Sequence, residues 1–257
     1  MTQPIQYFPG HMAAAMRKIG EALRLVDVAI EAVDARLPAT SANSDLRVLL
    51  GHKPLVTVLT RDDLADRDAT AAWVRFLRAQ DRTALAVDAK RYGSVAAIVE
   101  VLRKYQDGRS IRIIVVGIPN SGKSTIINSL LRRHAAKAED RAGVTRALQW
   151  FRVDPLVELM DTPGILVPKI ETEEAQWKLA LSGALPRERY DPQDVVARFA
   201  AWDAQRPRRF PSLEEFAGKR GFLRKGGEPD LHNAARAYLT EFNAGTFGRI
   251  TLDEPPV

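Results

Sequence analysis

The segment Gly117-Ile118-Pro119-Asn120-Ser121-Gly122-Lys123-Ser124 constrains the fold more than any other stretch of this 257-residue chain. It fits the pattern G-x-x-x-x-G-K-[S/T], in which glycines let the backbone wrap a phosphate with successive amide N–H groups pointing inward. A loop of this kind works between a buried strand and a helix, because the helix N-terminus adds positive potential at the phosphate. Both neighbours are legible. The run from Ile111 to Gly117 is mostly isoleucine and valine, the composition of an inner parallel strand. Lys123 to Arg133 reads as the helix that follows. Lys123 would then reach the β and γ phosphates, and the Ser124 hydroxyl would face Mg²⁺. Pro119, Asn120, Ser121, Gly122 and Thr125 would line the same phosphates.

A second phosphate signature, Asp161-Thr162-Pro163-Gly164, follows a strand reading at Leu156 to Met160. A carboxylate at a strand end suits the Mg²⁺ shell, and the Gly164 N–H suits a γ-phosphate. By itself D-x-x-G is usually a turn; downstream of the loop it gains meaning. Between the two lies Gly143-Val144-Thr145-Arg146, whose Thr145 would complete the Mg²⁺ coordination. A lone loop threonine is otherwise a solvated side chain.

Upstream of the loop, apolar runs at Asp27 to Val33, Leu55 to Leu59 and Thr83 to Val87 alternate with helical patterns. The helical patterns are Ala13 to Leu25, Ala69 to Ala79 and Val95 to Tyr105. Such alternation predicts an α/β fold: a mostly parallel sheet with helices on both faces. Strands are also expected at Leu148 to Val153 and Leu156 to Met160. After residue 184 the strand signal stops. Pro192 to Trp202, Ser212 to Ala217 and Leu231 to Phe242 read as helices. The expected division is therefore a nucleotide domain over 1–184, with halves 1–108 and 109–184, and a small all-helical domain over 185–257.

The chain has no cysteine, which excludes disulfides, thiolate metal sites and a cysteine nucleophile and fits a reducing compartment. Its four histidines argue against a multi-histidine metal site. No apolar run approaches the roughly 18 residues that span a bilayer, and no secretory signal stands at Met1 to His11. These features predict a cytoplasmic protein without a membrane partner. The net charge of +6 suits a polyanionic partner, but the excess is spread over the whole chain and is also what an ordinary surface carries.

A guanine site needs a carboxylate that accepts from the N1 and N2 hydrogens of the base. Nothing suitable follows residue 164. Before the phosphate loop, however, the strand at Leu55 to Leu59 ends in Thr60-Arg61-Asp62-Asp63-Leu64. Val87-Asp88-Ala89-Lys90 ends the next strand and resembles the S-A-K element that backs the base in GTPases. The motif order (base reader, base backing, phosphate loop, Thr145, D-T-P-G) is that of circularly permuted GTPases. Phe8-Pro9-Gly10-His11-Met12, Asp34-Ala35-Arg36-Leu37-Pro38, the loop itself, Asp161-Thr162-Pro163-Gly164-Ile165 and the tail Gly245-Thr246-Phe247-Gly248-Arg249-Ile250-Thr251-Leu252-Asp253-Glu254-Pro255 extend the likeness. Together they resemble the ribosome biogenesis GTPase A family over nearly the whole chain.

The resemblance implies a GTPase that binds GTP or GDP with Mg²⁺ and acts late in assembly of the large ribosomal subunit, bound to its rRNA. The base reader departs from the family's N-K-x-D: Thr60 and Arg61 replace Asn and Lys, while Asp63 remains. Weaker guanine binding with retained specificity is expected, since Arg61 still has a stem and guanidinium to lay over the base, whereas Thr60 loses an amide that would brace base and loop. The bland reading of Asp63 is a helix cap.

Ile165 stands where many GTPases place a glutamine that orients the attacking water, so slow intrinsic hydrolysis is expected. The resemblance implies two remedies. One is K⁺ held partly by Asn120; the other is the ribosomal particle, which would bring His11 towards the γ-phosphate. Arg206-Pro207-Arg208-Arg209-Phe210 and Lys219-Arg220-Gly221-Phe222-Leu223-Arg224-Lys225 interleave charge with rings. They read either as an RNA face, with phenylalanines stacking on bases, or as a solvated loop over core rings. A monomer without DNA contacts is expected. Two other readings stay open on sequence: a nucleotide-insensitive RNA-binding protein with a degenerate site, and a metabolic P-loop ATPase or kinase.

Overall fold

The computed structural model describes residues 17–207 and 210–256, apart from 18, 89, 136–149, 161–163, 167 and 169. Seven strands form one sheet: β1 Val28–Asp34, β2 Leu55–Thr60, β3 Thr83–Ala86, β4 Ile111–Gly117, β5 Trp150–Asp154, β6 Val157–Met160 and the short β7 Gly164–Ile165. Their order is β3-β2-β1-β4-β6-β5, with β7 pairing the end of β4. Every pairing is parallel except β5 with β6. The strand entering the phosphate loop is thus central. Strands earlier in the chain lie on one side of it and later ones on the other.

The sheet is covered on both faces, which is why β1 has no exposed residue. One apolar layer joins Ile30, Val56, Val58, Ile113 and Val115 to Ile98 and Leu102 of the helix Tyr92–Arg103 and to Ile126 and Leu130 of the helix Lys123–Ala135. The other layer joins Val33, Leu59 and Ala84 to Trp73 and Leu77 of the helix Arg67–Ala79. Each such fully buried aliphatic or aromatic side chain contributes about 1.5–3 kcal/mol relative to exposure. The helix Arg67–Ala79 begins two residues earlier than its apolar pattern suggests. Asp66 caps it by accepting from the Ala69 N–H at 2.9 Å.

Two helices escaped the sequence reading. Asp45–Leu50 is short, with only Leu46 and Leu50 buried. Glu173–Leu181 has every residue from Trp177 to Leu181 buried, Lys178 included. With its first turn exposed and its second half buried all round, this helix shows no apolar stripe. Thr172 caps this helix through the Ala175 N–H, and Lys178 pairs with Glu174 at 2.6 Å.

By internal contacts the chain divides at Pro168 rather than after residue 184. One compact unit holds the sheet and also takes residues 250–256; the other is Pro168–Arg249. Glu173–Leu181 belongs to the second unit because it packs on the helices Pro192–Asp203 and Leu231–Ala244. That unit is built around rings: Phe199, Phe216, Tyr238 and Phe242 are buried and stack edge-on or tilted against one another. Ser212 and Glu215 form a capping box at the start of the helix Leu213–Arg220. Among the described residues, no helix is long and apolar enough to cross a membrane.

Candidate functional site

The loop between β4 and the helix Lys123–Ala135 is shaped by close approaches. A Cβ built on Gly117 would lie 2.6 Å from the Ala32 carbonyl oxygen and 2.7 Å from Ser121 Oγ, so only glycine fits where β4 leaves the sheet. Gly122 has φ +88°, and a Cβ there would meet Thr60 Cβ and Oγ1, each at 3.0 Å. Asn120 also adopts a left-handed conformation, φ +57°. Lys123 is buried inside the loop, its ammonium donating to the Ile118 carbonyl at 2.6 Å. Burial lowers its pKa from 10.5 to about 8, so the charge is held at neutral pH with little margin. Ser124 and Thr125, at the start of the helix, are exposed. Ser121 Oγ is buried and finds no partner among the described residues.

β7 brings the second signature alongside. Gly164 is in register with Val116 and Ile165 with Gly117, and the Leu166 N–H donates to the Gly117 carbonyl at 2.9 Å. Asp161, Thr145, His11 and Ala89 lie outside the described residues.

The early segment reaches the loop through Thr60. Its side chain is buried at the end of β2, where Thr60 is in register with Asp34, the last residue of β1. The hydroxyl lies 2.7 Å from the Ser121 carbonyl and 3.1 Å from the Val33 carbonyl, donating its one proton between them. The expectation that this position lacks a brace on the loop is therefore corrected: the shorter threonine makes the brace with a hydroxyl, because Gly122 leaves room for the close approach.

Arg61 follows with φ +56°. One guanidinium nitrogen stands 3.7 Å from Asp34 Oδ2. Asp34 is buried and already held by the fully buried Arg36, at 3.0 Å through Nε and 2.8 Å through Nη2. Burial alone would raise the Asp34 pKa, but Arg36 and then Arg61 outweigh it and hold the carboxyl below its usual range. For Arg61 burial is the largest influence, pulling its pKa down against the attraction of Asp34.

Asp63 is a half-exposed carboxylate with two unequal oxygens. Oδ2 accepts from Lys90 Nζ at 2.9 Å, whereas Oδ1 is buried with no donor among the described residues. The helix cap belongs to Asp66, so Asp63 is not spent on capping. Asp88 shapes the turn that presents Lys90: its Oδ1 accepts from the Lys90 N–H at 3.0 Å, and its own N–H donates to Ser94 Oγ at 3.1 Å.

In the helical unit the rings of the basic segments turn inward. Phe210 lies 5.1 Å from Phe199, and Phe222 stacks on Phe216 at 6.2 Å between centroids. Both rings are half-buried, leaning on the buried Phe199 and Phe216. Several charges there are also engaged: Arg206 lies 3.5 Å over Trp202, Arg220 pairs with Glu241 at 2.7 Å, and Arg224 faces Asp230 at 3.7 Å. Lys219 and Lys225 are exposed; Arg208 and Arg209 lie outside the described residues.

A family model described as "50S ribosome-binding GTPase" matches residues 112–195. Ribosome biogenesis GTPase A of Bacillus cereus is 37% identical, over 98% of this chain and 94% of that one. Its namesake in Thermotoga maritima is 36% identical, over 98% and 95%. The mouse mitochondrial ribosome-associated GTPase 1 is 32% identical, over 96% and 90%. Among solved structures, GNP-bound YlqF from T. maritima superposes with a TM-score of 0.75 at 34% identity, covering 94% of this chain and 98% of that one. A GDP-bound structure titled TM YlqF gives 0.77 at 33% identity, covering 93% and 99%.

Proposed function

The chain belongs to the ribosome biogenesis GTPase A family, and from that premise we propose that it reads guanine with Asp63, docks on rRNA of a maturing large subunit while GTP is bound, and leaves after hydrolysis. It is a GTP hydrolase of ribosome biogenesis; the step it serves and the particle's part in it are our reading. The observation that carries it is the Thr60 hydroxyl on the Ser121 carbonyl. That bond ties the segment holding Asp63 to the phosphate loop, so one nucleotide spans both. The Asp63 carboxylate, whose Oδ1 has no donor among the described residues, supplies the acceptor that a guanine N–H needs and that adenine leaves unsatisfied. On this reading the domain is circularly permuted: the base-reading strands precede the phosphate-binding ones in the chain, yet share one sheet with them.

Lys123 holds the phosphates, and the N–H of Gly164, whose strand runs beside Gly117, would donate to the γ-phosphate. Mg²⁺ would be held by Ser124 with Asp161 and Thr145, neutralising charge on the phosphates; the exposed Ser124 hydroxyl at the helix start suits that role. Ile165 offers no hydrogen bond to the attacking water. Intrinsic hydrolysis is therefore slow; Asn120 would help hold a K⁺ that adds positive charge beside the phosphates, and His11, brought in by the particle, would supply the rest. Docking would use Lys219, Lys225 and the basic 206–209 segment on RNA phosphates. Arg220 and Arg224 add to that field while holding their own carboxylates.

Two measurements test this. Titration with GDP and ADP should show a strong preference for GDP; equal affinities would remove Asp63 from the base site. Hydrolysis measured with and without large subunits, in K⁺ and in Na⁺, should rise with subunits and fall in Na⁺. Rates indifferent to both would remove the particle and the cation from the mechanism.

A further inference from the structure

The segment 250–253 lies against the base-reading loop in a way that the chemistry above does not use. Ile250 N–H donates to the Leu64 carbonyl at 2.9 Å, directly after Asp63. Thr251 Oγ1 accepts from the Asp66 N–H at 3.1 Å and lies 3.4 Å from the Ala35 carbonyl. Leu252 N–H donates to the Arg36 carbonyl at 2.8 Å. The Asp253 carboxylate accepts from the Ala39 and Thr40 N–H groups at 2.9 and 2.7 Å and from Thr40 Oγ1 at 2.9 Å. Its carbonyl accepts from Trp73 Nε1 at 2.9 Å. Ile250, Leu252 and Asp253 are buried.

These bonds converge on one loop from two sides. The base-reading loop is fixed at its entry, where Thr60 is bonded to the phosphate loop. Its exit, Leu64 to Asp66, is fixed by residues 250 and 251. Asp63 hangs between the two anchors. The second route runs through Arg36: residue 252 holds its backbone, while its guanidinium holds Asp34, the carboxylate that faces Arg61. A recognition carboxylate must be held to about 0.5 Å by neighbours that do not themselves touch the ligand. Here those neighbours come from residues 250–253.

We propose that residues 250–253 are a positioning strap for Asp63, with Thr251 and Asp253 as specificity-determining residues that act through the Leu64–Asp66 turn and the 35–40 loop. The proposal rests on Asp63 being the guanine reader. IDP is the discriminating probe, because hypoxanthine lacks the exocyclic amine of guanine while everything else about the nucleotide stays the same.

The experiment measures GDP and IDP affinities for the full chain and for Thr251→Val, Thr251→Ser and Asp253→Ala. The unmodified chain should prefer GDP. Thr251→Val, which keeps the shape but loses the acceptor for Asp66, should reduce that preference about fivefold, the loss expected from one misplaced polar contact, with IDP affinity falling less than GDP affinity because hypoxanthine keeps only the N1–H for Asp63. Thr251→Ser should restore it. Asp253→Ala should act in the same direction; if it fails to fold, the threonine pair carries the test. A purely structural tail predicts lowered melting temperatures with the GDP-to-IDP ratio intact, and that outcome overturns the proposal. An unmodified chain that binds GDP and IDP equally would instead overturn the guanine-reading role of Asp63, and the strap's role with it.

Discussion

Replacing Thr60 by valine tests whether the two halves of the nucleotide site are held together by one hydroxyl. The substitution keeps the β-branched shape, so no cavity opens beside Gly122. What is lost is the donor lying 2.7 Å from the Ser121 carbonyl and 3.1 Å from the Val33 carbonyl, at a residue 1% exposed. A single proton serves these two acceptors, so one bond is at stake. Losing it and leaving a buried carbonyl short of a donor costs about 1–3 kcal/mol, and the added methyl returns part of this. The expected loss is about 1.5 kcal/mol. With a urea slope of about 1–3 kcal/mol per molar, the unfolding midpoint should fall by roughly 0.5–1.5 M. If the bond also sets the loop's nucleotide-binding shape, GDP affinity should fall by about tenfold, since about 1.4 kcal/mol is a factor of ten. Urea unfolding at fixed pH and a fluorescent GDP titration read the two effects separately. Thr60→Ser should behave like the unmodified chain. An unchanged midpoint and affinity in Thr60→Val, or an equal fall in Thr60→Ser, would refute the brace.

Other outcomes follow from the same geometry. Gly122→Ala forces a Cβ to 3.0 Å from Thr60 at φ +88°; it should cost about 2 kcal/mol of stability and most nucleotide binding, and the added change Thr60→Ala, which removes Oγ1 and Cγ2 but leaves Cβ at 3.0 Å, should recover only a fraction of the steric cost. Lys123, its pKa lowered by burial to about 8, should give a GDP affinity that falls about tenfold between pH 7 and pH 9, as the site loses the proton that phosphate binding requires; a flat profile would show that this ammonium does not hold the phosphates. Glu31 is 4% exposed within β1, and burial raises its pKa from 4.5 to about 7 against the opposing pull of the Asn43 N–H, Arg82 and Arg47. The folded state therefore takes up a proton between pH 7 and pH 4.5 that the unfolded chain does not, so stability falls as pH rises through that window. Glu31→Gln keeps an acceptor for the Asn43 N–H at 2.7 Å. It should stabilise the chain by up to about 3 kcal/mol at pH 8 and by almost nothing at pH 4.5, as measured by thermal or urea unfolding; equal effects at both pH values would refute the assignment.

The chain by itself determined the parts whose physics is local. Five isoleucines and valines in Ile111–Gly117 specify a buried strand, and G-x-x-x-x-G-K-S specifies the loop that leaves it, because the required φ angles and N–H directions belong to adjacent residues. The tail was legible only as a likeness, since nothing in its own residues says what they touch. Tertiary structure alone decided the roles made by contacts between distant residues. Thr60 braces Ser121 across 61 positions, and Asp253 caps Ala39 across 214. The helix Glu173–Leu181, exposed over its first turn and buried from Trp177 to Leu181, carries no periodic stripe to read. Phe210 and Phe222 look alike in sequence whether they face a base or a core, and only packing shows each leaning on a buried ring, Phe199 and Phe216. A short hydroxyl does the work of a longer amide where the neighbouring backbone comes close enough, and that distance is set by how β2, β1 and β4 lie side by side in one sheet, not by any residue read alone.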